Sequence, residues 1–144
     1  ALDPATVWVD AIALEALLDA EPVQVERALA LARGDFLADE AALPWAVRTR
    51  DRLKSRLIRA VLAEAEQREA RGDYAGARPL YEAALERDNL AEAVYRRLMV
   101  CQRELGDAAG AMLTYRRCRE LLSIVLGRAP AAETEAIRQT LERA

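Results

Sequence analysis

Apolar residues recur along this chain at spacings of three and four, the mark of helices with one buried face. Ile12, Leu14, Leu17 and Leu18 give such a face over 11–20. Glu21-Pro22 breaks that run, and a second helix is predicted with Pro22 in its first turn and Arg33 at its end. Leu53, Leu57, Val61 and Ala65 form a stripe within a long helix predicted from Pro44 to about Arg71. Further helices are predicted over 74–87, from a cap at Asn89 to Gly106, over 108–126, and after Pro130 with Ile137 and Leu141 on its apolar side. Only Thr6-Val7-Trp8-Val9-Asp10 has strand character, with β-branched and aromatic residues clustered after Pro4. A lone strand has nothing to pair with. It either pads against the helices or is the torn end of a sheet from a preceding domain.

One stretch is written twice, 34 residues apart. Gly72-Asp73-Tyr74-Ala75-Gly76-Ala77 returns as Gly106-Asp107-Ala108-Ala109-Gly110-Ala111, Tyr81 returns as Tyr115, and Ala84 as the equally small Cys118. Each first glycine suits a residue just past a helix end, where the backbone turns left-handed without steric cost. Each aspartate is placed to cap the next helix. Ala77 and Ala111 let two helices approach closely, and Tyr81 and Tyr115 fill the gap four residues on, on the same face. Gly72, Ala77, Tyr81, Gly106, Ala111 and Tyr115 are therefore the repeat-packing residues. Helix, tight turn, helix at this period is the tetratricopeptide-type unit. Gly34-Asp35-Phe36 echoes the motif at 38 residues, which predicts a degenerate first repeat and an irregular segment over 36–43. Asn89 with Glu92 reads as a capping box opening the fifth helix. The expected fold is all-α: a tetratricopeptide-like right-handed superhelix of about seven helices in antiparallel pairs.

Composition narrows the chemistry. The 144 residues are 53% hydrophobic, 5% aromatic and 31% charged, with a net charge of −3. Such a domain is a poor electrostatic partner for nucleic acid. There is no histidine, which removes the commonest general base, metal ligand and nucleophile activator. The six glycines sit at predicted helix ends rather than in a phosphate-cradling loop. The expectation is no enzyme, with no catalytic, cofactor-binding or metal residues. Cys101 and Cys118 lack metal-ligand spacing and are expected as free, buried thiols of a cytoplasmic protein. No apolar run is long enough for a membrane span, and no signal peptide is evident. The start at Ala1, without methionine, looks like a cut from a longer protein.

The basic run Arg48, Arg50, Arg52, Lys54, Arg56 and Arg59 is either a solvated face or a phosphate contact, the former being the ordinary case. Trp45 reads as a lid on the core. If the first helix of each repeat lines a concave face, that face carries Arg59, Leu62 and Glu66, then Arg96, Val100 and Arg103. Such a groove suits an acidic or extended peptide; solvated helix faces with local ion pairs are the plain alternative.

Several phrases of the chain resemble one family. Val7-Trp8-Val9-Asp10, Ala28-Leu29-Ala30-Leu31-Ala32-Arg33-Gly34-Asp35-Phe36-Leu37, and Trp45 with Arg52-Leu53 are similar to the bacterial transcriptional activator domain. So are Asp88 with Ala91-Glu92-Ala93-Val94-Tyr95-Arg96-Arg97-Leu98-Met99, Tyr115-Arg116-Arg117 through Leu121-Leu122 to Leu126-Gly127, and Pro130 with Glu133-Thr134. The resemblance runs along nearly the whole chain. It departs at Asn89, where a proline often follows the aspartate, and at Ala131, where a capping serine is common. The resemblance implies a tetratricopeptide-like module that follows a winged-helix DNA-binding domain in regulators of the antibiotic-regulatory-protein type. Residues 1–10 would be the seam from that domain and 11–144 the helical domain. It implies self-association or contact with other domains or the transcription machinery, with DNA read only by a separate domain and no membrane partner. A stand-alone scaffold that docks a peptide in the groove is the rival reading. A small-molecule sensor is a weaker third, because nothing in the sequence marks a pocket.

Overall fold

A computed structural model describes the backbone of residues 4–32 and 44–143, and side chains over 11–32 and 47–143. Among the described residues there are seven helices and no strand. They are α1 (Pro4–Asp19), α2 (Val25–Leu31), α3 (Pro44–Ala70), α4 (Tyr74–Arg87), α5 (Glu92–Glu104), α6 (Ala108–Leu126) and α7 (Ala132–Glu142). The chain divides into two compact units, Ala1–Val61 and Leu62–Ala144, and the division falls within α3.

In the first unit α1 packs on α2. Leu14, Leu18, Val25, Ala28 and Leu29 are buried, as are Leu53, Leu57 and Val61 of α3. The amide of Gln24 donates to the carbonyl of Leu17 at 3.2 Å and closes the connection between α1 and α2. The strand expected over 6–10 is instead the opening of α1. The physical reason is that strand propensity is a preference for packing in a sheet, and no partner strand exists among the described residues. A helix satisfies its own backbone, and Pro4 is well suited to a first helical position. The second helix also starts later than expected, at Val25, leaving Pro22 in the connecting segment. The degenerate repeat at Gly34-Asp35-Phe36 and the ring of Trp45 lie outside the described residues.

In the second unit α4 packs on α5, α5 on α6, and α7 on both α5 and α6. The two written repeats build the same joint twice. Gly72 has φ +79° and Gly106 φ +80°. The Gly72 amide donates to Glu69 at 2.9 Å and the Asp73 amide to Arg68 at 2.8 Å; Gly106 donates to Arg103 at 2.9 Å and Asp107 to Gln102 at 2.8 Å. This crossed pair of bonds past a left-handed glycine satisfies carbonyls that a helix end otherwise leaves without donors. Asp73 Oδ1 then accepts from the Gly76 amide at 2.9 Å, and Asp107 Oδ1 from the Gly110 amide at 2.8 Å. Ala77, Tyr81, Ala111 and Tyr115 are all buried. Met99, Ala111, Tyr115 and Leu141 form one cluster, with Met112 and Ile137 packed against it.

The start of α5 differs from the expected capping box. The helix begins at Glu92 after Ala91, without a side-chain cap. Asp88 Oδ1 accepts from the Leu90 amide at 3.2 Å, and the Asn89 carbonyl accepts from the Tyr95 hydroxyl at 2.9 Å. Asp88 and Asn89 are thus engaged in a local turn ahead of the helix. Glu92 is directed elsewhere.

Candidate interaction surfaces

Three of the expected groove residues come together in the second unit. Leu62, Glu66 and Arg96 line an open cavity of about 340 Å³ with Tyr81, Ala93, Val94 and Arg97. The hydroxyl of Tyr81 donates to Glu69 Oε2 at 2.7 Å, and Arg97 reaches the other oxygen of Glu69 at 3.3 Å. Burial, then the bond to Glu69, pushes the Tyr81 phenol well above its ordinary pKa. Val100 and Arg103 lie further along α5 and do not line this cavity. Arg59 is exposed and belongs to the first unit.

Both groove arginines of α5 are already held by α7. Arg96 Nη1 donates to Thr134 Oγ1 at 3.2 Å and lies 3.9 Å from Glu92. Arg103 Nη1 donates to Thr140 Oγ1 at 3.1 Å, while its Nε and Nη2 meet Glu104 at 3.2 and 3.1 Å. A peptide ligand would have to recruit guanidinium groups already placed against a neighbouring helix.

Glu92 is the centre of that attachment. It is 9% exposed. Its Oε1 accepts from the Ala131 amide at 2.6 Å and the Thr134 hydroxyl at 2.7 Å, and its Oε2 from Arg128 at 2.9 Å. Burial alone would raise its pKa, but Thr134, Ala131 and Arg128 outweigh it and hold Glu92 below the ordinary carboxylate value. Ala131 has no side-chain acceptor to cap α7; Glu92, from another helix, takes up the amide of Ala131 itself at the start of α7.

A larger open groove of about 1000 Å³ runs between α6 and α7. Met112, Arg116, Arg119 and Ile124 stand on one wall, Glu135 and Arg138 on the other. The α7 wall is closed on itself. Arg138 donates to Glu135 at 2.7 Å and Glu142 at 2.5 Å, and lies 5.7 Å from the centre of the Tyr115 ring. Tyr115 in turn donates to Glu135. Counted from the cap residues Ala91 and Ala131, Glu135, Arg138 and Glu142 occupy the positions held in α5 by Tyr95, Leu98 and Gln102. Those three α5 side chains are buried. The charged row on α7 makes that wall a poor seat for a further apolar helix.

The basic run of α3 is partly neutralised. Arg52 meets Glu15 at 2.6 Å, Arg56 meets Asp19 at 2.5 Å, and Arg50 lies 3.7 Å from Asp51. Cys101 and Cys118 are free and buried, and burial pushes each thiol up to about 11. Among the described residues there is no group of three His, Cys, Asp or Glu side chains arranged to hold a metal ion. None of their helices is long and apolar enough to cross a membrane.

No curated protein and no solved structure matches this chain. The model of one family does, that of the bacterial transcriptional activator domain, over residues 13–142. The match takes in the written repeat, the Glu92 node and the whole of α7, so the chain belongs to the bacterial transcriptional activator domain family.

Proposed function

We propose that this domain is the protein-interaction and regulatory module of a bacterial transcription regulator. It mediates self-association or contacts with other domains or the transcription machinery, in the cytoplasm, while a separate domain reads DNA. Residues 1–10 join it to that domain. The observation that carries this reading is the family match over 13–142. The charge arrangement supports it: net charge is −3, and Arg52, Arg56, Arg96, Arg97, Arg103, Arg128 and Arg138 are engaged within the chain. Phosphate contact through these seven arginines would require breaking those pairs. The domain also has no catalytic role in this reading.

The test is DNA binding and transcription by the regulator, with and without residues 1–144, across a salt series. Deletion should leave site recognition in place and reduce cooperativity or activation. Tight, sequence-selective binding of DNA by residues 1–144 alone, with a steep salt slope, would overturn the reading.

The cavity beside Leu62, Glu66 and Arg96 favours a second reading, a scaffold that docks an acidic peptide there. Charge reversal at Arg96 and Arg103 should then abolish peptide capture. Because both arginines also hold α7, a thermal melt must accompany the binding assay. Intact capture by the folded double variant sinks the groove reading.

A further inference from the structure

The exposed face of α6, part of which lines the groove beside α7, is unusual within the molecule. Seven large apolar side chains are exposed among the described residues, and four of them, Leu113, Ile124, Val125 and Leu126, belong to α6. Leu113 is 63% and Ile124 73% exposed. Between these two lie Arg116, Arg117 and Glu120, all exposed. None of the three makes a hydrogen bond or ion pair among the described residues, although Arg116 and Glu120 stand four residues apart. The opposite side of α6 is packed: Ala111, Tyr115, Cys118 and Leu122 are buried, and Thr114 donates to Gln102 at 2.8 Å.

Helical geometry puts Leu113, Glu120 and Ile124 along one line, with Arg116 and Arg117 on either side of it. Read from either end, the face is apolar, charged, charged, apolar, with the basic charge nearer the amino end. Two antiparallel copies of such a face complement each other. Leu113 meets the other copy's Ile124, and the arginines meet the other copy's Glu120. Two-fold symmetry then makes each contact twice, as an isologous interface requires. The 34-residue repeat supplies an internal control. The corresponding positions of the first repeat are Pro79, Glu82, Ala83 and Glu86, with Leu90 falling beyond the end of α4; there Glu82 is already paired with Arg78 at 2.8 Å, whereas the charges of the α6 face have no such partner among the described residues.

We propose that α6 is the self-association surface of this domain, pairing antiparallel with α6 of a second copy through Leu113, Arg116, Arg117, Glu120 and Ile124. This rests on the reading of the domain as an interaction module and names its partner. A single pair of helix faces is smaller than the about 1,200 Å² of a standard interface. The association is therefore weak and reversible, with a Kd on the order of 10 µM.

Sedimentation equilibrium of the 144-residue chain tests it. The wild type should be a concentration-dependent dimer. L113S/I124S should weaken association at least about tenfold with an unchanged melting curve, because both side chains are exposed. E120R, with a wholly basic face, and R116E/R117E, with a wholly acidic one, should each be monomeric alone. Mixed, they should form a heterodimer at least as tight as the wild-type homodimer. Adding I124S to both partners should weaken that heterodimer. A wild-type chain that stays monomeric at about ten times the expected Kd overturns the proposal, as does wild-type-like association of L113S/I124S or a mixture that fails to associate. Removing residues 1–144 from the regulator distinguishes the two ideas. Altered transcription with a monomeric chain leaves the interaction module standing and removes only the α6 surface.

Discussion

The two repeats of the second unit, α4 and α6 with the turns before them, begin alike and end differently. Up to the buried tyrosine they share their local features: the same left-handed glycine, the same aspartate cap, the same buried alanine. Beyond that point each repeat takes its own direction. Tyr81 donates back to Glu69 on α3, while Tyr115 donates forward to Glu135 on α7. The helix α4 stops after 14 residues at Arg87, where Asp88 turns the chain. The helix α6 runs for 19 residues to the left-handed Gly127, because Leu122 and Ser123 stand where Asp88 and Asn89 would break it. The extra turn carries Ile124, Val125 and Leu126 into solvent. A shared joint thus sets the path of the chain, and the residues outside it decide what each repeat touches.

That contrast can be tested most strongly at Glu92, which has no counterpart in a local joint. Glu92→Ala leaves the Thr134 hydroxyl, the Ala131 amide and Arg128 without their acceptor. It should cost on the order of 3 kcal/mol in chemical denaturation and detach α7, seen as faster amide exchange over 132–142. A loss below about 1 kcal/mol would mean α7 is held by its apolar contacts alone.

The same node fixes a pH dependence. Glu92 and Glu135 both have folded pKa values below the ordinary 4.5. For a lowered carboxylate the stabilisation is complete above the unfolded value and is lost as pH falls through the folded one. Stability should be flat between about pH 5 and pH 8 and fall on further acidification. Glu92→Gln should show a shallower fall, read from melts over that range; an identical slope would place the acid sensitivity elsewhere.

Next in size are the left-handed glycines. No atom lies within 4 Å of a Cβ added at Gly72 or Gly106. Gly72→Val and Gly106→Val should therefore each cost only the backbone penalty, about 1–2 kcal/mol, plus a small β-branched term. The two losses should be equal, and clearly unequal melts would show that the joints differ in a way their geometry does not reveal.

The smallest effect concerns the second glycine of each motif. A Cβ at Gly76 would lie 2.2 Å from the Asp73 carboxylate, and one at Gly110 lies 2.1 Å from that of Asp107. Gly76→Ala should gain helix propensity of up to about 1 kcal/mol and lose a cap of similar size, for a net change near zero. In an Asp73→Ala background the same substitution should stabilise by up to about 1 kcal/mol. If it stabilises equally in both backgrounds, the carboxylate moves aside freely and the glycine is not there for the cap.

The sequence by itself determined the features that arise between near neighbours. The helix from Tyr74 to Arg87, the helix from Ala108 to Leu126 with Gly127 beyond it, both aspartate caps and both turns were legible in it. A cap or a left-handed turn involves groups within five residues, so the order of residues contains the whole interaction. The family was legible too, because its phrases are mostly packing positions repeated in order. Only the tertiary structure decided what depends on distant partners. Val7-Trp8-Val9 reads as a strand until the absence of a paired strand among the described residues leaves a helix as the way to satisfy its backbone. Glu92 reads as half of a capping box until Ala131, 39 residues on, is seen to need its carboxylate. Arg96 and Arg103 read as groove contacts until Thr134 and Thr140 of α7 are found against them. A side chain's partner is set by which helices pack together, and hydrophobic packing, being non-directional, leaves only a faint trace of that choice in local order.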